Sequence, residues 1–280
     1  MGKKIEKRSI PANILIYLIL ILLAVSYLYP LYFMGVNSLK SQAEYMKDMF
    51  SVDLLKGHFE NYLIIFKNFK IGQYLFNTLL VTVLKLVFTM PLAIFASYAF
   101  AKLRFRGKNA MYPLIISAMF IPFQVIMIPV YTMLTKLHMI DTYRGLILVT
   151  GTLGIPSSIM LLSSSFRSIP NELLEAAAID GCGYFRKIFH IMIPMGKPAI
   201  AICTIMGFIS SWNDLLPPMV IIKSVNKRLV MPALDGLVSM YNADTPFQLT
   251  GILIAAVPAI AIYLILSKQI IMGISAGSTK

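Results

Sequence analysis

Between Ser9 and Leu39 the chain carries no Asp, Glu, Lys or Arg, and that run fixes the solvent its fold must suit. About 20 apolar residues carry a helix across a hydrocarbon core, where every backbone N–H and C=O has to be satisfied within the segment. Further runs follow: Ile71–Ala101 holds one charge, Lys85; Asn109–Thr135 and Gly145–Phe166 hold none; Pro198–Ile222 is interrupted only by Asp214; Thr245–Ser267 is charge-free. They predict six spanning helices, near residues 13–36, 74–100, 110–133, 145–166, 198–221 and 248–267. The expected fold class is an all-α integral membrane protein. Composition agrees, since 58% hydrophobic and 13% charged residues with a mean hydropathy of +0.77 exclude an ordinary soluble domain.

Lys3 to Arg8 before an apolar run resembles the start of a signal peptide, but the run is about twice as long as a typical h-region, and no small-residue cleavage site precedes Tyr29–Pro30. An uncleaved anchor is expected. With six spans both termini share a side, which would hold fourteen Lys and Arg against ten on the other, and the turn Lys102–Lys108 has four bases and no acid. By the positive-inside bias the termini and the loop 167–197 are expected in the cytoplasm. This topology absorbs most of the net charge of +13, so no nucleic-acid surface is required. Cys182 and Cys203 fall in that loop and in the inner half of a span, where free thiols are expected.

Some chemistry is missing. No Gly-x4-Gly-Lys-Ser/Thr loop is present to cradle phosphates, and His58, His138 and His190 lie in different loops without ligand spacing, so neither a metal site nor ATP hydrolysis is expected in this chain.

The loop 167–197 is the most specific segment. Pro170 suits a first helical turn, and Glu172 and Glu175 favour its positive pole. Gly181-Cys182-Gly183 then lets the chain reverse before a helical pattern resumes at Tyr184. Two short helices meeting at a corner are expected, with Ala176, Ala177 and Gly181 admitting a close neighbour and Glu175 offered to a basic group. Glu175-Ala176-Ala177, three residues, Gly181, nine residues, then Ile191-x-Ile193-Pro194 resembles the EAA loop of ABC importer permeases, with Ile193 in place of the usual Leu. An amphipathic hairpin lying on the membrane is the alternative.

A second resemblance covers nearly the whole chain. Ser211-Trp212-Asn213-Asp214-Leu215-Leu216-Pro217-Pro218, Phe76-Asn77-Thr78, Ala99 to Gly107, Ile140-Asp141-Thr142 and Gly273 to Gly277 look like the corresponding stretches of maltose-transporter-type carbohydrate permeases. Among these the chain resembles the shorter six-span partner of a heterodimer. The resemblance implies a type I importer fold: a cytoplasmic tail at 1–12, a six-span permease domain at 13–272 and a cytoplasmic tail at 273–280. It also implies a prokaryotic cell membrane, a second permease, two ATP-binding subunits holding ATP and Mg2+, an extracytoplasmic sugar-binding protein and a sugar substrate. Glu175, Ala176, Ala177, Asp180, Gly181, Ile191 and Pro194 would dock the ATPase, and Gly273, Ala276 and Gly277 would enter its dimer interface.

Polar residues within spans are expensive unless they face a cavity or another helix, which makes Asn77, Gln124, Asn213 and Asp214 candidates to line a sugar path. Tyr131 and Trp212 offer ring faces to sugar C–H groups, or belong to an aromatic belt. Trp212 lies roughly 20 Å along its helix, nearer a gate than a central site. Lys85 lies about 16 Å into the second span, facing a wet cavity or a partner, or snorkelling to the headgroups. The loops 37–73 and 223–248 are either docking surfaces for the binding protein or solvated connectors. The functional expectation is the permease half of an ATP-driven importer of oligosaccharides. Import of a noncarbohydrate solute such as glycerol phosphate, an ion-coupled secondary transporter and a cargo-free membrane scaffold remain as alternatives.

Overall fold

The structure, a computed structural model, describes residues 10–51, 57–241 and 244–277, with side chains over 13–51, 57–241 and 244–265. Asp53, Asn242 and most of the expected N-terminal tail lie outside the described residues, as does the side-chain packing of 266–277, the segment that holds Gly273, Ala276 and Gly277. Every regular element among the described residues is helical. They are α1 (Ile10–Asn37), α2 (Gln42–Lys47), α3 (Glu60–Lys67), α4 (Ile71–Lys102), α5 (Lys108–Ser117), α6 (Phe123–Lys136), α7 (Tyr143–Arg167), α8 (Asn171–Ile179), α9 (Tyr184–Lys187), α10 (Ile193–Met195), α11 (Lys197–Trp212), α12 (Leu216–Ile221), α13 (Val230–Met240) and α14 (Thr245–Gly277).

Four helices are long and apolar enough to cross a membrane unbroken, α1, α4, α7 and the part of α14 up to Ile265. Six result if two bent pairs each count as one span, Lys108–Phe120 with Phe123–Lys136 and Tyr184–Met195 with Lys197–Trp212, the second bent by 79°. The third expected span, 110–133, is not straight: Lys108–Phe120 meets Phe123–Lys136 at 97°. Pro122 forces the break, because its ring pushes the preceding residue out of the helical region, and Ile121 sits at φ −90°, ψ 105°. The fifth expected span, 198–221, also divides. α11 stops at Trp212 with Asn213 as its cap, and Pro217 and Pro218 open α12 rather than ending the helix before it. A first turn needs no amide hydrogen from those positions, so prolines start a helix there more readily than they close one.

The chain forms two compact units. One joins residues up to Lys70 with Leu237–Ile254. In it the Ser38 hydroxyl lies 2.7 Å from that of Tyr62, Asn61 donates to the carbonyls of Ser38 and Lys40, and Thr250 donates to Ser38. Ser41 caps α2 in a reciprocal box with Glu44, whose carboxyl is held below its usual range chiefly by the Ser41 amide.

The other unit comprises Ile71–Gly236 and the chain from Ala255 onward. α4 and α7 pack along each other at close range. Thr89 donates to the Gly151 carbonyl at 3.2 Å and Ser97 to that of Ile159 at 3.3 Å. A β-carbon at Gly151 would stand 2.7 Å from the Phe88 ring, so the small residue sets the approach. Met90, Ala93 and Phe100 of α4, Ile159 and Leu162 of α7, and Ala199 and Cys203 of α11 form one apolar core.

Candidate functional site

α8 begins after Pro170, at φ −59° and ψ 138°, and ends at a glycine of the kind its sequence calls for. Gly181 has a φ of +77°; its N–H donates to the Ala178 carbonyl at 3.1 Å and that of Cys182 to the Ala177 carbonyl at 2.8 Å. This bond pair satisfies a helix end when the residue after the cap is left-handed. The chain then runs through α9, a wide turn at Ile188–Met192 and α10.

What holds this knuckle is an apolar core beneath it. Leu174, Ile188 and Met192 pack with Tyr98 from the end of α4 and with Phe166 and Ile169 at the end of α7. Lys102 ties the same corner, its ammonium donating to the Ile169 carbonyl and, at 2.8 Å, to Asn171 Oδ1. The knuckle is therefore built onto the ends of two long helices. Glu175, Ala176, Asp180, Gly181 and Pro194 are exposed, Ala177 is buried beside Leu174, and Ile191 is half-buried at the core's edge. Ile179 at the tip is 88% exposed. Sequence reasoning passed over Leu174, Ile188, Met192 and Gly196, although apolar residues three and four apart were the available signal.

The polar residues of the spans separate into two groups. Lys85, Gln124 and Asp214 come together on a cavity of about 550 Å³ whose wall also includes Phe123, Thr150, Gly154, Ser157, Ser210 and Pro217. A second cavity of about 270 Å³ adjoins it, sharing Lys85, Gly154, Ser157 and Ser210, and continues among Met90, Leu161, Cys203 and Met206. Lys85, only 7% exposed, stands where the two meet. The breaks before α6 and after α11 matter here, because they present Gln124 and Asp214 at helix ends to one space.

Asn77 and Trp212 are engaged elsewhere. Asn77 Nδ2 donates to the carbonyls of Asn226 and Arg228 at 2.9 and 3.0 Å, fastening the 223–230 loop to α4, and Thr78 accepts from the Val230 amide. Trp212 is 2% exposed, stacks on Phe208 at 5.5 Å and donates its indole N–H to the Ala255 carbonyl at 3.0 Å. It fills the interior and presents no free ring face. Tyr131 lies under the Lys223 ammonium, 5.4 Å from its ring centre, and Asn213 is exposed beyond the cavity wall.

The same loop is held from below by Asp141, which has φ +58°. Its carboxylate accepts from the Lys223 and Ser224 amides, the Ser224 hydroxyl and, at 2.9 Å, the Lys227 ammonium. The Ser224 bonds above all hold this carboxyl far below the usual range.

The comparisons with known proteins agree with one another. The family described as binding-protein-dependent transport system inner membrane component matches residues 89–274, and the chain belongs to that family. It is 29% identical over 271 residues to the arabinooligosaccharides transport system permease protein AraQ of Bacillus subtilis, covering 96% of each chain. It is 29% identical over 264 residues to the diacetylchitobiose uptake system permease protein NgcG of Streptomyces coelicolor, covering 93% of this chain and 86% of the relative. To the probable ABC transporter permease protein YurM of Bacillus subtilis it is 30% identical over 268 residues, covering 96% and 88%. Its fold matches a chain of a bacterial ABC transporter that imports the acidic polysaccharide alginate, with a TM-score of 0.76 at 23% identity over 95% of this chain and 99% of that one. The chain is thus an integral membrane permease of the type I importer fold, which replaces the ion-coupled and scaffold alternatives.

Proposed function

From that membership we propose that this chain is one of two permease subunits of an ATP-driven importer of oligosaccharides. The observation that carries the substrate class is the similarity to AraQ over 96% of each chain. The 167–197 knuckle docks an ATP-binding subunit holding ATP and Mg2+, with Glu175, Ala176, Asp180, Gly181 and Pro194 at the contact and Ile191 and Ala177 bracing it. Its anchorage on Tyr98 and Phe166 supports this reading, since a rigid seat lets a displacement of the knuckle reach α4 and α7. Both termini and the knuckle face the cytoplasm, and Gly273, Ala276 and Gly277 extend toward the ATPase dimer. Lys85, Gln124 and Asp214 line the sugar path, which a second permease completes, and an extracytoplasmic binding protein delivers the sugar.

The test is co-expression with the second permease, the ATPase and the binding protein, followed by uptake into vesicles with ATP inside. ATP-dependent accumulation of labelled arabino- or chito-oligosaccharide is expected. Accumulation without the ATPase, or of no oligosaccharide in a panel while a noncarbohydrate solute enters, would overturn the reading.

A further inference from the structure

We propose that Lys85 and Asp214 form a charge-balanced clamp for hydroxyl groups, so that this half of the path accepts uncharged, hydroxyl-rich segments and discriminates against charged ones. The inference rests on the reading of the cavity as part of a sugar path. Lys85 is 7% exposed, and no group among the described residues accepts a hydrogen bond from its ammonium, although it lines both cavities. Among the described residues no ion pair within 4 Å joins Lys85 to Asp214, so the two charges face the cavity without closing on each other. An unbonded ammonium inside a span is strongly destabilising unless something polar occupies the space before it.

The rest of the wall is complementary. Thr150 and Ser157 direct their hydroxyl protons to the carbonyls of Leu146 and Gly154, leaving lone pairs for the cavity. Lys85 supplies donors, Asp214 supplies acceptors, and Gln124 supplies both. A sugar hydroxyl donates and accepts at once and satisfies both charges. A carboxylate or ammonium on the substrate satisfies one of them and meets like charge at the other, a juxtaposition that costs several kcal/mol when desolvated.

The test reads the cavity field without needing the transported sugar. In the assembled complex with Cys182 and Cys203 replaced by serine, Ser210→Cys is reacted with the anionic sulfonatoethyl and cationic trimethylammonioethyl methanethiosulfonates. The ratio of the two rates, normalised to a free thiol, is expected within roughly threefold of unity for the balanced cavity. Asp214→Asn should raise the anionic-to-cationic ratio roughly tenfold, Lys85→Met should lower it by a similar factor, and Lys85→Arg should leave it unchanged. Ratios indifferent to both neutralising substitutions in complexes that still copurify the ATPase would overturn the clamp, as would a strongly one-sided ratio before substitution. Oligosaccharide uptake in the same complexes reports separately on the proposed function.

Discussion

Gly196 lies against the ring of Phe166 so closely that a β-carbon on it would stand 2.4 Å from Phe166 Cε1 and 2.7 Å from the Met192 carbonyl. The end of the knuckle is thus locked to the last turn of α7, at the point where α11 departs. The path from knuckle to spans runs through this contact.

Gly196→Ala should therefore loosen the seat rather than the tip. One obstacle is a backbone carbonyl that cannot swing away, so overpacking of about 1–3 kcal/mol is expected. The measure is the temperature at which half of the detergent-solubilised complex stays monodisperse, together with ATPase retention. A wild-type value would mean that Phe166 rotates aside and that the seat is softer than its packing implies.

Asn77→Leu tests whether that residue fastens a loop or lines a path. The substitution removes donors to Asn226 and Arg228 from a buried site and should weaken the 223–230 attachment by about 2 kcal/mol. Trypsin should then cut faster at Lys227 and Arg228. An unchanged cleavage rate with altered sugar uptake would return Asn77 to the path.

The positions of α4 and α7 were readable from long apolar runs holding one charge and none, because a span is a composition signal. The breaks were not. Pro91 and Pro156 sit inside unbroken helices while Pro122 ends one, so a proline by itself does not announce which it will do. Trp212 shows a different limit: an aromatic near a span end suits a gate or a belt equally, and its burial, the stacked Phe208 and the Ala255 carbonyl at 3.0 Å assign it to packing. Gly181 was legible, since two nearby glycines after an alanine-rich helix leave little but a left-handed cap. The meeting of Lys85, Gln124 and Asp214 was not, because three separate elements bring them together and no sequence spacing encodes that.

Acid should release the loop that Asp141 holds. A carboxyl whose folded pKa is depressed contributes stability that is complete above its unfolded value, about 3.9, and is lost as pH falls through the folded value. The advantage of wild type over Asp141→Asn should thus be full at neutral pH, about 1–2 kcal/mol, and shrink progressively below about pH 5. Asparagine tolerates the left-handed backbone, so the comparison isolates charge and acceptors. Thermal stability of the two proteins across that range decides it; a constant difference from pH 7 to pH 3 would mean the carboxylate is not the fastener.

The knuckle itself is tested at Gly181 and Glu175. A β-carbon at Gly181 would meet nothing within 4 Å in this chain, so Gly181→Val does no harm by crowding its own fold. It does force a branched residue to a φ of +77°, a strain of about 1–2 kcal/mol that shifts the corner. Glu175→Lys leaves the backbone alone and reverses the charge offered by the exposed face of α8. If the knuckle docks an ATPase, both variants should insert and retain most of their thermal stability, yet ATPase copurification and ATP-driven uptake should fall at least roughly tenfold, the effect of about 1.4 kcal/mol at the contact. Gly181→Ala should fall between Gly181→Val and wild type, because alanine pays the left-handed penalty without the branch. Full retention and uptake in both primary variants would make the loop a surface hairpin, and the coupling role would have to move to the α14 tail or to the second permease.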